Sequence, residues 1–188
     1  MKQFNKYKFE ICAAAVLVLL GIATRTFLHV GPNFELVTAI SLLAATQLSS
    51  RRSWLIVAAI MIASDIILGN TNILIFTWSG FAITFLLGTI SKNYLQTQSY
   101  WRKFVMYEAL GLVSVLAFYF WTNFGVVILG TMYAHSWAGY MQSLYMALPF
   151  LKIQLQSAII FVPLLSLGYE LIKNNHGSLL AQLQKQKA

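Results

Sequence analysis

Long apolar runs alternate with short polar clusters along this chain, and the clusters fall where a helical membrane protein would turn. The basic opening MKQFNKYKFE gives way to a run that predicts a first span over about 11–28. Arg25, His29 and Glu35 punctuate the connection that follows, and its Gly31-Pro32 pair ends helical geometry. Further runs predict spans over 36–48, 53–68, 73–90, 104–121 and 149–172. They are separated by Arg51-Arg52, by Gly69-Asn70-Thr71-Asn72, by the polar connection SKNYLQTQSYWRK and by a stretch over 123–148. That last stretch is expected to be an outer loop holding a short helix capped by Ser136. Thr38, Ala39, Ser41, Ala44 and Ala45 give the second span a small-residue surface that lets helices approach closely.

Composition agrees with this pattern. Hydrophobic residues make up 59% of the chain and charged ones 10%, and the mean hydropathy is +0.69, whereas a soluble domain carries roughly 25% charged residues. The expectation is an all-α integral membrane protein, one transmembrane domain of 188 residues with six transmembrane helices. The net charge of +8 invites a nucleic-acid reading, but the Lys and Arg residues are spread over loops and form no basic helix face, so no nucleic-acid partner is expected. They read better as topology signals. With both the N- and C-termini cytoplasmic, every Lys and Arg except Arg25 and Lys152 falls on the inner side, as the positive-inside rule requires. A cleaved signal peptide is the competing reading of the start, because the first apolar run ends in the small-residue pattern Gly21-Ile22-Ala23. The lone Cys12 excludes an internal disulfide and a cysteine metal cage.

The two outer cations then become informative. If Pro149 starts the last span, Lys152 falls in its opening turn, against the positive end of the helix dipole. A cation so placed calls for an anionic ligand, a carboxylate partner, or a stem that snorkels to the interface. Arg25, Asp65 and Glu35 lie at the outer ends of the first three spans and are expected to form a structural ion pair, Arg25 with Asp65 or with Glu35. Trp54, Trp101 and Tyr107 fit an inner aromatic belt and Trp121 an outer one. Trp78, inside a span, and Trp137 and Tyr140, beside His135 and Asn123, are better pocket residues, because a binding pocket sets a few polar groups among aromatic walls. His29 and His135 lack the spacing of a metal site. No phosphate loop, nucleophile elbow, zinc spacing or carboxylate pair occurs, so neither an enzyme nor a cofactor is expected, and ATP-driven transport would need another polypeptide.

The segments GPNFELVTAISLLAA, IMIASDIILG and TNFGVVILGTMYAHSWAGYMQSLYMALPFLKIQLQSAIIF resemble a bacterial family of small membrane proteins. That family is similar in turn to the substrate-binding S components of energy-coupling factor (ECF) vitamin transporters. The likeness covers Arg25 to Glu170, with the blocks PNF, SD-x-x-LG, TNFGV and Y-x-H-S-x-AG in order. It implies an S-component-like six-helix bundle in the bacterial inner membrane, with an outward-facing pocket closed by loops 25–35, 69–72 and 123–148. It also implies a vitamin or other small micronutrient as ligand, and a transmembrane coupling subunit with two ATPases as partner. The ligand-binding candidates are then Lys152, His135, Trp137, Tyr140, Asn123, Trp78 and, in the first of those loops, Asn33. Such families dock through an Ala-x-x-x-Ala surface on the first helix. Here Cys12-Ala13-Ala14-Ala15 is followed four residues on by Val16-Leu17-Val18-Leu19, which leaves a protein working alone as an open reading. The alternative function is a structural or assembly protein on the same scaffold.

Overall fold

The computed structural model describes residues 2–28, 34, 36–48, 53–69 and 72–185, with side chains described between 8 and 175 within those bounds. His29, Asn33, Glu35, Arg51 and Arg52 lie outside the described residues. The described chain is all-helical: α1 (Lys2–Thr26), α2 (Val37–Gln47), α3 (Trp54–Leu68), α4 (Leu74–Gln96), α5 (Tyr100–Leu129) and α6 (Trp137–Lys185).

Four stretches are long and apolar enough to cross a membrane: Lys8–Thr26, Leu74–Gln96, Tyr100–Leu129 and Trp137–Asn175. The other two helices are shorter. The 11 residues of α2 rise only about 17 Å, against a hydrocarbon core of about 30 Å. Its residues from Val37 to Thr46 are all buried, so α2 is a central core helix with α1, α3, α4, α5 and α6 around it. Its small residues serve that position, since a helix enclosed on every side needs short side chains where neighbours come closest. Ile40, Leu43 and Ala44 join a cluster with Leu17, Ile60, Met61 and Phe81. Ala39 and Leu42 face a second cluster with Tyr107, Val115, Ala158 and Val162. One short helix thereby ties two cores together.

The second half of the chain departs from the predicted spans. Instead of stopping at 121, α5 runs on to Leu129, and no separate short helix precedes the last span. Asn123 does not break the helix, because its side-chain amide donates to the Tyr119 carbonyl one turn back, at 2.9 Å. Pro149 does not begin the last span either. Both Pro149 and Pro163 lie inside α6, which starts at Trp137. A proline within a helix removes one backbone hydrogen bond and bends the axis. The contacts agree with a bend: a Cβ at Gly111 would lie 3.1 Å from Val162, and Ser143 bonds Asn123 at 2.9 Å. Between those two points α6 holds more residues than α5, so it does not run straight beside it, and Pro149 lies in that stretch.

Candidate functional site

The bundle has two polar ends. At one, Arg25 from the last turn of α1 places Nη1 2.7 Å from Asp65 Oδ1 in the last turn of α3. The same nitrogen is 2.6 Å from Ser64 Oγ and 3.4 Å from Met61 Sδ. The second carboxylate oxygen of Asp65 accepts from the indole Nε1 of Trp78, in α4, at 2.5 Å. The structure thus brings Arg25, Asp65 and Trp78 together from three helices. The Arg25 and Asp65 side chains are only 14% and 9% exposed, so each charge depends on the other for its solvation. Helix dipoles add to this, because a cation suits the C-terminal turn of α1, and an acid in the C-terminal turn of α3 needs an offset.

Directly against this knot lies an apolar groove of about 400 Å³ between α3 and α4. It is lined by Trp54, Val57, Ala58 and Met61 from α3 and by Ile75, Trp78, Ser79, Ala82 and Phe85 from α4. On both helices these positions recur at three and four residues, the spacing of one helix face. The groove exists because its walls are drawn to different partners. α3 packs on α1, where a Cβ at Gly21 would sit 2.5 Å from Ile60, while α4 packs chiefly on α2 and α5. Met61 and Trp78 belong to both groove and knot, so the apolar cavity ends on the engaged side of Asp65. Ser79 Oγ is already occupied, donating to the Ile75 carbonyl at 2.5 Å and accepting from Trp121 Nε1 at 2.8 Å.

The corner between α5 and α6 holds Asn123, His135, Trp137 and Tyr140, and it is bonded shut. Buried Asn123 accepts from Ser143 Oγ, and Tyr119 donates its hydroxyl to the Leu144 carbonyl. His135 Nε2 lies 2.9 Å from the Gly130 carbonyl and staples the connection. Ser136 Oγ accepts from the Gly139 N–H at 3.2 Å, an N-cap of α6. Gly139 is required there, because a Cβ would collide with the Ala134 carbonyl oxygen. Tyr140 donates to the Phe120 carbonyl at 3.1 Å and sets its ring edge-on to Phe124, while Trp137 lies mostly exposed beside it, 5.7 Å away.

Lys152 does not join this corner. With α6 beginning at Trp137, Lys152 lies about 22 Å along the helix from Trp137, far from any opening turn. The side chain is exposed and has no ion pair or hydrogen bond among the described residues. The dipole argument for an anion at Lys152 therefore falls.

The other polar end surrounds the C-terminus of α2. Lys92 donates to the Leu48 carbonyl at 2.6 Å and Lys173 to the Gln47 carbonyl at 3.3 Å. Gln47 Nε2 reaches Tyr107 Oη at 2.7 Å, Tyr107 donates to Thr46 at 3.2 Å, and Lys103 pairs with Glu170. Thr46, Gln47, Lys103, Tyr107, Glu170 and Lys173 border a polar cavity of about 260 Å³. Tyr107, expected in an interfacial belt, is 1% exposed and belongs to this cluster instead. Trp54, also expected in a belt, lines the groove. Helical spacing was the only signal for the groove residues in the sequence, and it does not tell a lipid-facing stripe from a cavity wall.

The chain belongs to a family of unknown function, DUF6580, whose family model matches residues 5–182. No curated protein and no solved structure matches it.

Proposed function

We propose that this member of DUF6580 is a membrane-embedded capture protein, similar to S components of ECF transporters, that binds a vitamin or other small micronutrient for uptake. One observation carries the reading: the groove of about 400 Å³ between α3 and α4 that abuts the Arg25, Asp65 and Trp78 knot. The volume falls within the roughly 300–1,000 Å³ of small-molecule sites, which are mostly apolar with a few oriented polar groups. Two indoles, a phenylalanine and a methionine offer stacking and dispersion to a ring or chain, and the Arg25–Asp65 ion pair supplies the nearby charged groups. Energy for release would come from a separate coupling subunit with ATPases. In this reading the basic residues of the Glu170 end face the cytoplasm and the Asp65 end faces outward.

The second reading, a structural or assembly protein, draws support from the α5–α6 corner. Asn123 accepts from Ser143, Tyr140 donates to the Phe120 carbonyl, and one ring nitrogen of His135 is engaged with the Gly130 carbonyl, so these side chains serve to close the corner.

Native mass spectrometry of the protein released from its own membranes separates the two. Capture predicts an adduct of small-molecule mass that is absent from an Ala82→Trp protein, whose new ring fills the groove. Proteins that fly bare or with identical lipid adducts in both forms would sink the capture reading.

A further inference from the structure

The half of α6 that follows Trp137 carries polar residues on two opposite faces. One face is used: Gly139, Ser143, Gln154 and Ser157 are buried against the bundle. The other holds Gln142, Tyr145, Lys152 and Gln156, which recur at three, seven and four residues and therefore form one stripe along the helix. All four are exposed, Tyr145 at 73%. Neither Gln142, Lys152 nor Gln156 has a hydrogen bond or ion pair among the described residues.

The height of this stripe makes it unusual. Ser143 is level with Asn123 and Val162 with Gly111, so Lys152 sits between them, beside the middle of the 30-residue apolar α5. Trp137 is about 22 Å away along α6 and Lys173 about 32 Å in the other direction, beyond what a four-carbon stem can span by snorkelling. If α5 and α6 cross a bilayer, an exposed ammonium and two exposed amides face hydrocarbon, where unpaired polar groups are costly and mark functional contacts. Pro149 lies on the same stripe. Lacking an N–H, it leaves the Tyr145 carbonyl without its helical donor, which adds an acceptor between Tyr145 and Lys152.

We propose that this stripe seats a transmembrane helix of a different polypeptide, one that carries an Asp or Glu at the depth of Lys152. The charge to be matched is positive, so the occupant contributes a carboxylate. Gln142 and Gln156, about 15 and 6 Å along the helix from Lys152, set the register through side-chain hydrogen bonds. A second copy of this chain does not fit. Copies inserted in the same direction meet at equal depth, and the acids described here lie elsewhere. Asp65 is held by Arg25 and Trp78, Glu170 by Lys103, and Glu108 lies on α5 beyond Gly111, on the side away from the level of Lys152. Glu10 lies in α1 and is itself engaged. The inference rests on α5 and α6 crossing a membrane and is independent of ligand binding in the α3–α4 groove.

Photocrosslinking in native membranes tests it, with benzoylphenylalanine in the full chain at Gln156 on the stripe or at Phe150 off it. The Gln156 probe should give a product whose peptides come from another membrane protein with an Asp or Glu inside an apolar helix, and the Phe150 probe should not. Lys152→Met should lower that yield about tenfold or more, while Lys152→Arg, which keeps the charge, should retain most of it. Exchanging the charges, Lys152→Glu here and the partner's acid to Lys, should restore the product. A product joining two copies of this chain, adducts with lipid alone, or a yield unaffected by Lys152→Met would each overturn the proposal. Equal amounts of Lys152→Met and parent protein in the membrane, checked by immunoblot, ensure that the yields compare folded chains.

Discussion

Trp78 donates its indole N–H to Asp65 Oδ2 while Arg25 pairs with Oδ1, so a single carboxylate fastens α4 to the α1–α3 pair. The two interactions are not equivalent. Arg25 neutralises the charge, whereas Trp78 satisfies a lone pair and positions the ring that ends the groove. Arg25→Ala should therefore destabilise the protein by about 3–5 kcal/mol, the cost of a buried carboxylate stripped of its counter-ion. Trp78→Phe should cost about 1–3 kcal/mol. Thermal unfolding in a mild detergent reads both, and equal losses would contradict the division of roles.

Because that carboxylate is dangerous only while charged and unpaired, the double variant Arg25→Met with Asp65→Asn should be more stable than Arg25→Met alone. The measured coupling is the diagnostic quantity. Strict additivity of the two single changes would mean that the ions do not depend on each other.

The groove makes a separate prediction. Trp54 and Trp78 sit on its walls, so a ligand that enters should change tryptophan emission, and Ala82→Trp or Ala58→Leu should abolish the change by occupying the space. Loss of binding should reach about a hundredfold, because an overfilled site must be repacked before a ligand fits. An unaltered affinity in Ala58→Leu would place the ligand elsewhere.

How far these features could be read from the sequence differs from one element to the next. The apolar runs mark helices because their length and composition allow little else, and the places of Arg25 and Asp65 at the ends of two such runs suggest a pair. The run at 36–48 is another matter. Ten to fourteen apolar residues suit a buried core helix as well as a clipped span, and only the surrounding helices show that α2 is enclosed. Pro149 illustrates a local rule losing to context. Proline favours the first turn of a helix, yet here the chain is already helical from Trp137, and the bend is accepted because α6 must follow the bundle. Trp54 could not be distinguished from a belt residue, since its surroundings depend on how far α3 and α4 diverge, and that follows from contacts made on their opposite faces. Lys152 stands out in the sequence by its charge, but its neighbours on the stripe share one face only because α6 is a continuous helix.

The connection at 130–136 is a stiff corner, and Gly139 tests this. Gly139→Ala forces a methyl into the Ala134 carbonyl, so backbone must shift, and the loss should exceed the approximately 0.5–2 kcal/mol expected for removing the cap with Ser136→Ala. Comparing the two unfolding temperatures decides the matter, and a Gly139→Ala protein as stable as the parent would mean that the corner yields easily.

The last prediction concerns the buried end of α2. Helix C-terminal carbonyls normally find water or a glycine turn, but α2 ends among α4, α5 and α6, and two ammonium groups serve instead, Lys92 on Leu48 and Lys173 on Gln47. Both also complement the negative end of the helix dipole. Lys92→Met keeps the stem and removes the donor, leaving a carbonyl unsatisfied at a cost of about 1–3 kcal/mol, while Lys92→Arg should lie close to the parent. Hydrogen exchange gives the local readout. Amides in the last turn of α2 should exchange faster in Lys92→Met while those of α5 near Val115 stay protected, since the clamp holds the helix end and not the second core. If Lys92→Met leaves both the unfolding temperature and the α2 amides unchanged, the Leu48 carbonyl has another donor and the lysine is not what closes this helix.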